Sequence, residues 1–256
     1  MIVRDGWRLA VGTLTVVPMP PPSTVDRQRT GVAMLVSPVA VLPLGLAVTL
    51  VVAGGQLVGL STGVTGLLAV TALALGTRCL HIDGLSDVAD GLTASYDRER
   101  SLAVMHTSTS GPAGVAATLL VLGTQAAAFA SIAGSSHPYR SAVVAGVAVC
   151  LSRTALLLCC SRGVPAAEVE GIGRIYTESV ARWAAVAGSL LAALVLTALA
   201  AWAGWPWWRG ALAMLVGLAV VVVLLRRVVR RLGGVNGDVF GASIEACLAA
   251  VLVGLA

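Results

Sequence analysis

Long apolar runs alternate with short polar segments along nearly the whole chain, and this pattern predicts membrane-spanning helices. A spanning α-helix needs about 20 mainly apolar residues. Because Pro38 and Pro43 lie inside the first run, we expect that helix to be kinked or broken. The pattern predicts an all-α polytopic integral membrane protein with about seven transmembrane helices, within a range of six to eight. The runs lie at about 31–52, 56–77, 111–134, 140–160, 182–204, 210–226 and 239–256.

The composition supports this fold class and excludes others. Hydrophobic residues make up 57% of the 256 residues and charged residues 11%, whereas a soluble domain carries about 25% charged residues. A soluble enzyme, a disordered tail and a nucleic-acid-binding module are therefore excluded. All 17 basic residues are arginines, which excludes catalysis by lysine. We expect one helical domain, 1–256, with its active site on the cytoplasmic face.

Arginines and carboxylates concentrate on one side of the predicted spans. Only Arg140 and Arg209 lie in the loops of the opposite side, and no carboxylate does. The positive-inside rule therefore places the N-terminus in the cytoplasm. Chemistry that depends on acidic side chains is expected at the cytoplasmic surface.

Three aspartates follow the second span at helical spacing. Asp83, Asp87 and Asp90 stand at i, i+4 and i+7, within about 60° of one another on one helix face. Carboxylates stacked in this way repel one another, so the pattern favours a bound Mg²⁺ or Mn²⁺ that shares phosphate oxygens with a substrate. Gly84 and Gly91 are expected to let a phosphate ester approach the backbone.

Two further basic groups are candidates for the same site. His81 could bind phosphate or act as an acid or base, or it could simply start the helix at the interface. Arg153 lies inside the fourth predicted span, where a charge is costly. It could pair with Asp87 or Asp90, clamp a phosphate, or extend toward the interface.

The segment 233–245 reads Gly-Gly-Val-Asn-Gly-Asp-Val-Phe-Gly-Ala-Ser-Ile-Glu and predicts a second acidic corner of the site. Asn236 and Asp238 can cap the start of the last helix. Glu245 is seven residues beyond Asp238 on the same face. A buried, unpaired carboxylate is costly, so Glu245 implies a partner or a cation.

The remaining polar segments allow two interpretations each. His106 could contact substrate or serve only its loop, and the loop 162–173 could be a lid or a flexible connection. The segment 97–100 resembles a solvated turn. The arginines at 226, 227, 230 and 231 are expected to anchor the chain to lipid headgroups.

The two acidic segments together resemble the cobalamin synthase family, the adenosylcobinamide-GDP ribazoletransferases. His81 to Gly91 reproduce the pattern His-x-Asp-Gly-Leu-x-Asp-x-x-Asp-Gly in full. Gly233 to Glu245 match a second pattern, except that Asn236 stands where threonine is usual. Leu-Thr-Val-Val-Pro-Met-Pro at 14–20 is similar to the family's N-terminal motif. The stretch 106–114 lacks the charges usual there, which indicates altered substrate contacts or reduced activity.

The resemblance implies a transferase of cobalamin biosynthesis in the bacterial cytoplasmic (inner) membrane. Adenosylcobinamide-GDP would react with α-ribazole or its 5′-phosphate and release GMP, with Mg²⁺ or alternatively Mn²⁺ as the cofactor. Apart from the lipid bilayer, these substrates are the expected partners; nucleic acid is not, and a homo-oligomer stays open. The expected metal ligands are Asp83, Asp87 and Asp90. These three, His81 and Glu245 are the expected catalytic residues, and the expected substrate contacts are Gly84, Gly91, Arg153, Asn236 and Asp238.

Three rival functions fit the pattern less well. A CDP-alcohol phosphotransferase also uses aspartates on membrane helices, but its signature begins Asp-Gly-x-x-Ala-Arg, which 83–91 does not fit. A membrane prenyltransferase commonly has two comparable aspartate-rich motifs. An ion-coupled transporter could use Glu245 and Arg153, but it does not require three stacked aspartates.

Overall fold

The computed structural model describes residues 1–107, 109–168 and 172–256, and its regular elements are helices. A 3₁₀ turn, Ser152–Thr154, separates the eighth helix from the ninth. The α-helices are α1 (Ile2–Leu14), α2 (Arg27–Ala40), α3 (Leu42–Leu57), α4 (Thr62–Gly76), α5 (Leu80–Ala94), α6 (Arg98–Met105), α7 (Pro112–Ala133), α8 (Pro138–Leu151), α9 (Ala155–Cys159), α10 (Ile172–Tyr176), α11 (Arg182–Trp202), α12 (Trp207–Leu232) and α13 (Gly237–Leu255).

Six segments within the described ranges are long and apolar enough to cross a membrane. A seventh is obtained if α4 and α5, which are bent by 93° at their junction, count as one broken span. The predicted class of all-α polytopic membrane protein is confirmed. The six segments are Arg27–Leu57, Pro112–Ala133, Pro138–Cys159, Arg182–Trp202, Trp207–Leu232 and Gly237–Leu255.

The first span is broken where its prolines predicted a break. α2 contains Pro38 and ends at Ala40, and α3 begins at Leu42 with Pro43 in its first turn. A proline inside a helix removes one backbone hydrogen bond and crowds the preceding turn, which explains the interruption at Val41.

Two predicted span boundaries are wrong. The second span begins at Thr62 rather than near 56, because Gly59 adopts a positive φ of 74° and Ser61 caps α4 by accepting a hydrogen bond from the Val64 amide. The sixth span continues past 226 to Leu232, and Gly233 ends it with a φ of 80°. The four arginines of that region therefore lie within α12 rather than in a loop.

The sharp bend between α4 and α5 determines where the aspartate helix lies. Arg78 and Cys79 adopt φ values of 55° and 57°, a left-handed conformation that residues with a Cβ rarely adopt. Arg78 Nη2 donates a hydrogen bond to the Gly12 carbonyl, 3.0 Å away, which ties the bend to α1. After the bend, α5 packs against α13 and α7.

Candidate active site

Two glycines bring the two signature segments into direct contact. A Cβ on Gly84 would lie 2.6 Å from the Asp238 carbonyl oxygen, and a Cβ on Gly241 would lie 3.0 Å from the His81 Cα. Since real Cβ atoms do not tolerate the first distance, α5 and α13 can cross this closely only with glycine at position 84. The backbone that approaches Gly84 is therefore that of a neighbouring helix, and the expectation that a phosphate ester does so is corrected.

The crossing places His81 beside Glu245. The distance from His81 Nδ1 to Glu245 Oε1 is 3.5 Å, and the two side chains are 4% and 8% exposed. Glu245 thus has the partner that its burial implied. The acid side chain reaches this histidine because both project from the same helix crossing.

Gln125 on α7 completes the surroundings of Glu245. Its side-chain amide donates hydrogen bonds to Glu245 Oε2 at 2.7 Å and to the Glu245 carbonyl oxygen at 3.2 Å. The residue is 1% exposed. The sequence analysis did not identify Gln125. A lone amide side chain inside an apolar run was nevertheless a signal, because a buried polar group requires a partner.

Arg153 lies deeper in the bundle than a phosphate clamp would. It belongs to the 3₁₀ turn after α8, is 1% exposed, and donates hydrogen bonds to the Val149 carbonyl (2.7 Å) and the Ser152 hydroxyl (3.0 Å). Among the described residues it forms no ion pair with Asp87 or Asp90, so the expected pairing is wrong. Its charge acts instead on Glu245.

The three aspartates of α5 occupy three different environments. Asp83 is exposed, Asp87 is half-buried and Asp90 is buried. Asp87 lies within electrostatic range of Asp83, Asp90 and Asp238. Asp238 therefore brings the second signature segment to the same carboxylate cluster, which we define as Asp83, Asp87 and Asp238.

Asp90 holds the start of α7. Its two carboxylate oxygens accept hydrogen bonds from the amides of Gly111 (2.6 Å) and Gly114 (2.8 Å). Negative charge is favourable at a helix N-terminus, where amides lack helical partners. Gly91 serves packing as well, because a Cβ there would lie 2.5 Å from the Met105 side chain. Both observations assign a structural role to residues expected to touch metal or substrate.

Asn236 has the capping role that was expected. Its Oδ1 accepts a hydrogen bond from the Val239 amide at 3.1 Å, and its Nδ2 donates one to Asp238 Oδ2 at 2.9 Å. Asn236 therefore fixes the orientation of the Asp238 carboxylate while it starts α13. It is 7% exposed, so a direct substrate contact by this side chain stays a prediction.

The carboxylate cluster fits a divalent cation that is bound together with a substrate. Among the described residues, no three carboxylate, imidazole or thiol groups lie close enough to coordinate an ion by themselves. Mg²⁺, however, is usually bound by one or two carboxylates, with water and substrate phosphates as its other ligands. Asp83 and Asp87 are accessible for that purpose, whereas both oxygens of Asp90 already accept backbone hydrogen bonds. The three-aspartate ligand set stays a prediction.

Two loops surround the carboxylate cluster. His106 Nε2 lies 2.8 Å from Glu168 Oε1, which joins the end of α6 to the loop that follows α9. His106 also lies within electrostatic range of Asp87 and Asp238. His106 therefore lies at the rim of the cluster. Ser108 of the variant stretch and residues 169–171 of the loop 162–173, which could be a lid or a flexible connection, lie outside the described residues.

Arg98 attaches the loop that follows α9 to the rest of the protein. Its guanidinium donates hydrogen bonds to the Leu232 carbonyl at 2.9 Å and to the Ala167 carbonyl at 2.6 Å. The Ala167 amide in turn donates to the Val235 carbonyl at 2.9 Å. Residues 97–100 are exposed, as predicted, but they do not form a turn, because α6 begins at Arg98, which connects three segments.

A groove of about 310 Å³ lies between α5 and α7 and is lined on one side by Asp83 and Ser86 of α5 and by Cys79, which precedes that helix. Ser110, Val115 and Thr118 line the opposite side. The exposed Asp83 carboxylate is therefore accessible from this groove.

The chain is similar to a known family over nearly its whole length. A model of the family described as cobalamin-5-phosphate synthase matches residues 6–256. An adenosylcobinamide-GDP ribazoletransferase from Nocardioides sp. is 49% identical over 251 residues, which cover 98% of each chain. Proteins of the same name from Frankia casuarinae and Syntrophobacter fumaroxidans are each 35% identical, with 97% and 94% of this chain and 93% and 92% of theirs covered.

No solved structure matches this chain significantly. The resemblance drawn from the two acidic segments is confirmed by the family match and by the relatives. The chain therefore belongs to the cobalamin-5-phosphate synthase family.

Proposed function

We propose that this protein transfers the cobinamide phosphate group of adenosylcobinamide-GDP to α-ribazole or α-ribazole 5′-phosphate. The products would be adenosylcobalamin or its 5′-phosphate, together with GMP. Relatives of that name and the family match support the proposal. The observation that carries the mechanism is the buried His81–Glu245 pair beside the carboxylate cluster.

The pair is suited to activating a hydroxyl group. With Nδ1 directed at the Glu245 carboxylate, a neutral His81 keeps its proton on Nδ1 and leaves Nε2 as an acceptor. A ribose hydroxyl of the ribazole would transfer its proton to Nε2 while its oxygen forms a bond to the cobinamide-side phosphorus. The bond from that phosphorus to the bridging oxygen breaks, and GMP leaves with the electron pair. General-base catalysis of this kind contributes about 10²–10⁴-fold to a rate.

The carboxylate cluster would hold Mg²⁺, or Mn²⁺ in its place, through Asp83 and Asp87 with Asp238 alongside. When bound, the cation would neutralise charge on the diphosphate and on departing GMP. The mutual repulsion of these carboxylates supports the assignment, since an arrangement of like charges is relieved by a cation.

The proposed location is the bacterial cytoplasmic membrane, with the active site facing the cytoplasm. The asymmetric distribution of arginines supports this orientation. The carboxylate cluster and the loops at His106 and Glu168 then share the cytoplasmic side, where nucleotide substrates are available.

The test is release of GMP from adenosylcobinamide-GDP by purified protein in liposomes, with and without α-ribazole and Mg²⁺. We expect release only when both are present. Asp87→Asn should abolish it, whereas Glu99→Gln, which neutralises an exposed acid on α6, should retain it. If a folded preparation releases no GMP under any of these conditions, the proposed function is wrong.

A further inference from the structure

A second cavity lies beside His81. It has a volume of about 200 Å³ and is enclosed by α1, α2, α5, α9, α10 and α13. Its walls are formed mainly by apolar and aromatic side chains. These are Leu14, Met34, Leu156, Tyr176, Phe240 and Ile244.

The polar part of the wall contains Thr13 and two site residues. His81 and Asp238 both line the cavity. His81 is 3% exposed, and neither Nδ1, which lies 3.5 Å from Glu245 Oε1, nor Nε2 forms a hydrogen bond among the residues that the structure describes. A buried polar atom without a partner is costly, so a ligand that supplies a hydrogen bond to Nε2 would be stabilised here.

The volume limits which part of a substrate can enter. Pockets that enclose drug-sized ligands measure about 300–1,000 Å³, so this cavity is too small for a corrinoid or a whole nucleotide. One bicyclic ring is the largest flat group that it suits. The apolar part of the wall favours a ring with an apolar edge, such as a methylated benzimidazole, because a polar ring edge against leucine, methionine and isoleucine side chains would lack hydrogen-bond partners.

The two aromatic side chains favour a flat ligand. The rings of Tyr176 and Phe240 are 6.3 Å apart between centroids and meet at 70°, edge to face. Aromatic rings prefer such edge-to-face or offset arrangements, and a third ring beside them extends the cluster. Phe240 is only partly buried, which leaves part of its ring available to a ligand.

We propose that this cavity binds the dimethylbenzimidazole base of the ribazole nucleoside. The inference rests on the proposed function and adds the place of the acceptor substrate. With the base among the apolar walls, the ribose lies at the polar wall formed by His81 and Asp238. The nucleoside and the diphosphate would then approach the reaction centre from opposite sides of α5. The diphosphate would enter from the groove that contains Asp83.

The test uses a glycine at the mouth of the cavity. Gly237 lines the cavity and is exposed, and a Cβ built on it meets no atom within 4 Å. Gly237→Leu should therefore place a bulky side chain at the cavity without a clash at its Cβ. Gly123→Leu is the matched control, because Gly123 on α7 is also exposed with no atom within 4 Å of its Cβ.

For Gly237→Leu we expect the KM for α-ribazole to rise roughly tenfold or more, with the KM for adenosylcobinamide-GDP unchanged. Calorimetric titration of the protein with α-ribazole should show the same loss of affinity without turnover. Phe240→Leu, which keeps an apolar side chain, should weaken α-ribazole binding in the same direction. Gly123→Leu should change neither constant.

The outcomes separate this inference from the proposed function. If the wild type releases GMP but Gly237→Leu and Phe240→Leu leave α-ribazole binding unchanged, the assignment of the cavity is overturned and the function stands. A rise only in the KM for adenosylcobinamide-GDP also overturns it, because the cavity would then serve the other substrate. If the wild type releases no GMP, the proposed function itself fails.

Discussion

Glu245 Oε1 lies 3.5 Å from His81 Nδ1, and each residue comes from a different signature segment. The relationship depends on glycine backbones at the crossing of α5 and α13, and on Gln125, which donates to the other carboxylate oxygen. Nδ1 of His81 thus faces an acid, and the same residue lines a cavity. This arrangement matches the general pattern of a base held in one tautomer by a buried carboxylate.

Replacement of Glu245 tests that relationship. We expect Glu245→Gln to reduce kcat for GMP release by about 10²–10⁴-fold, because the amide cannot hold the Nδ1 proton as a carboxylate does. Ser243→Ala, a change on the buried side of the same helix, should keep near-normal turnover. Steady-state kinetics on purified variants makes the comparison. Wild-type turnover by Glu245→Gln would reduce Glu245 to a structural role.

Asp87 and Asp90 should respond differently to the same substitution. Asp87→Asn is expected to abolish turnover with little change in thermal stability. Asp90→Asn should lower stability by about 1 kcal/mol, the usual effect of a lost helix cap, because an amide retains one acceptor for Gly111 and Gly114. Thermal unfolding in detergent and GMP release measure both effects. Loss of turnover by Asp90→Asn at unchanged stability would instead identify Asp90 as a metal ligand.

The glycine at the helix crossing should be intolerant of a single methyl group. Gly84→Ala places a Cβ 2.6 Å from the Asp238 carbonyl, so we expect a loss of about 1–3 kcal/mol of stability and a fall in turnover as His81 moves from Glu245. Gly123→Ala should retain activity and gain up to about 1 kcal/mol, since alanine favours helix. Equal behaviour of the two variants in unfolding experiments would contradict the close crossing.

Arg98 should matter more than its exposed neighbour Arg100. Arg98→Ala removes the hydrogen bonds to the Leu232 and Ala167 carbonyls, so the loop beside the carboxylate cluster should loosen and become susceptible to proteolysis. Limited proteolysis and the KM for adenosylcobinamide-GDP provide the measurement. Arg100→Ala is the matched control and should resemble the wild type. If both variants are cleaved at the same rate, Arg98 does not fasten the loop.

Cys79 offers a chemical test of the groove at Asp83. It is exposed, while the other four cysteines are buried, and it lines the groove together with Asp83. A maleimide should therefore label one thiol per chain and block GMP release, and adenosylcobinamide-GDP with Mg²⁺ should slow the labelling. Mass spectrometry counts the labels, and Cys79→Ser is the unlabelled control. Labelled protein with full turnover would exclude this groove as a substrate path.

The sequence by itself determined the fold class and the position of most spans, because the length of an apolar run is fixed by membrane thickness. It also identified the acidic segments, since the spacing of Asp83 and Asp87 on a helix follows from backbone geometry. The break between α2 and α3 followed from proline chemistry in the same local way. Each of these features depends on residues that are close together in the chain.

Tertiary structure alone decided what the polar residues contact. Asp90 has the same spacing as its neighbours but caps α7, and Gly84 accommodates α13 rather than a ligand. Gln125 and Arg98 acquire their roles through residues distant in sequence. Distances between such residues depend on the angle and closeness of helix crossings and on the 93° bend after α4. A pattern along one helix does not contain that information, because it arises from packing between helices.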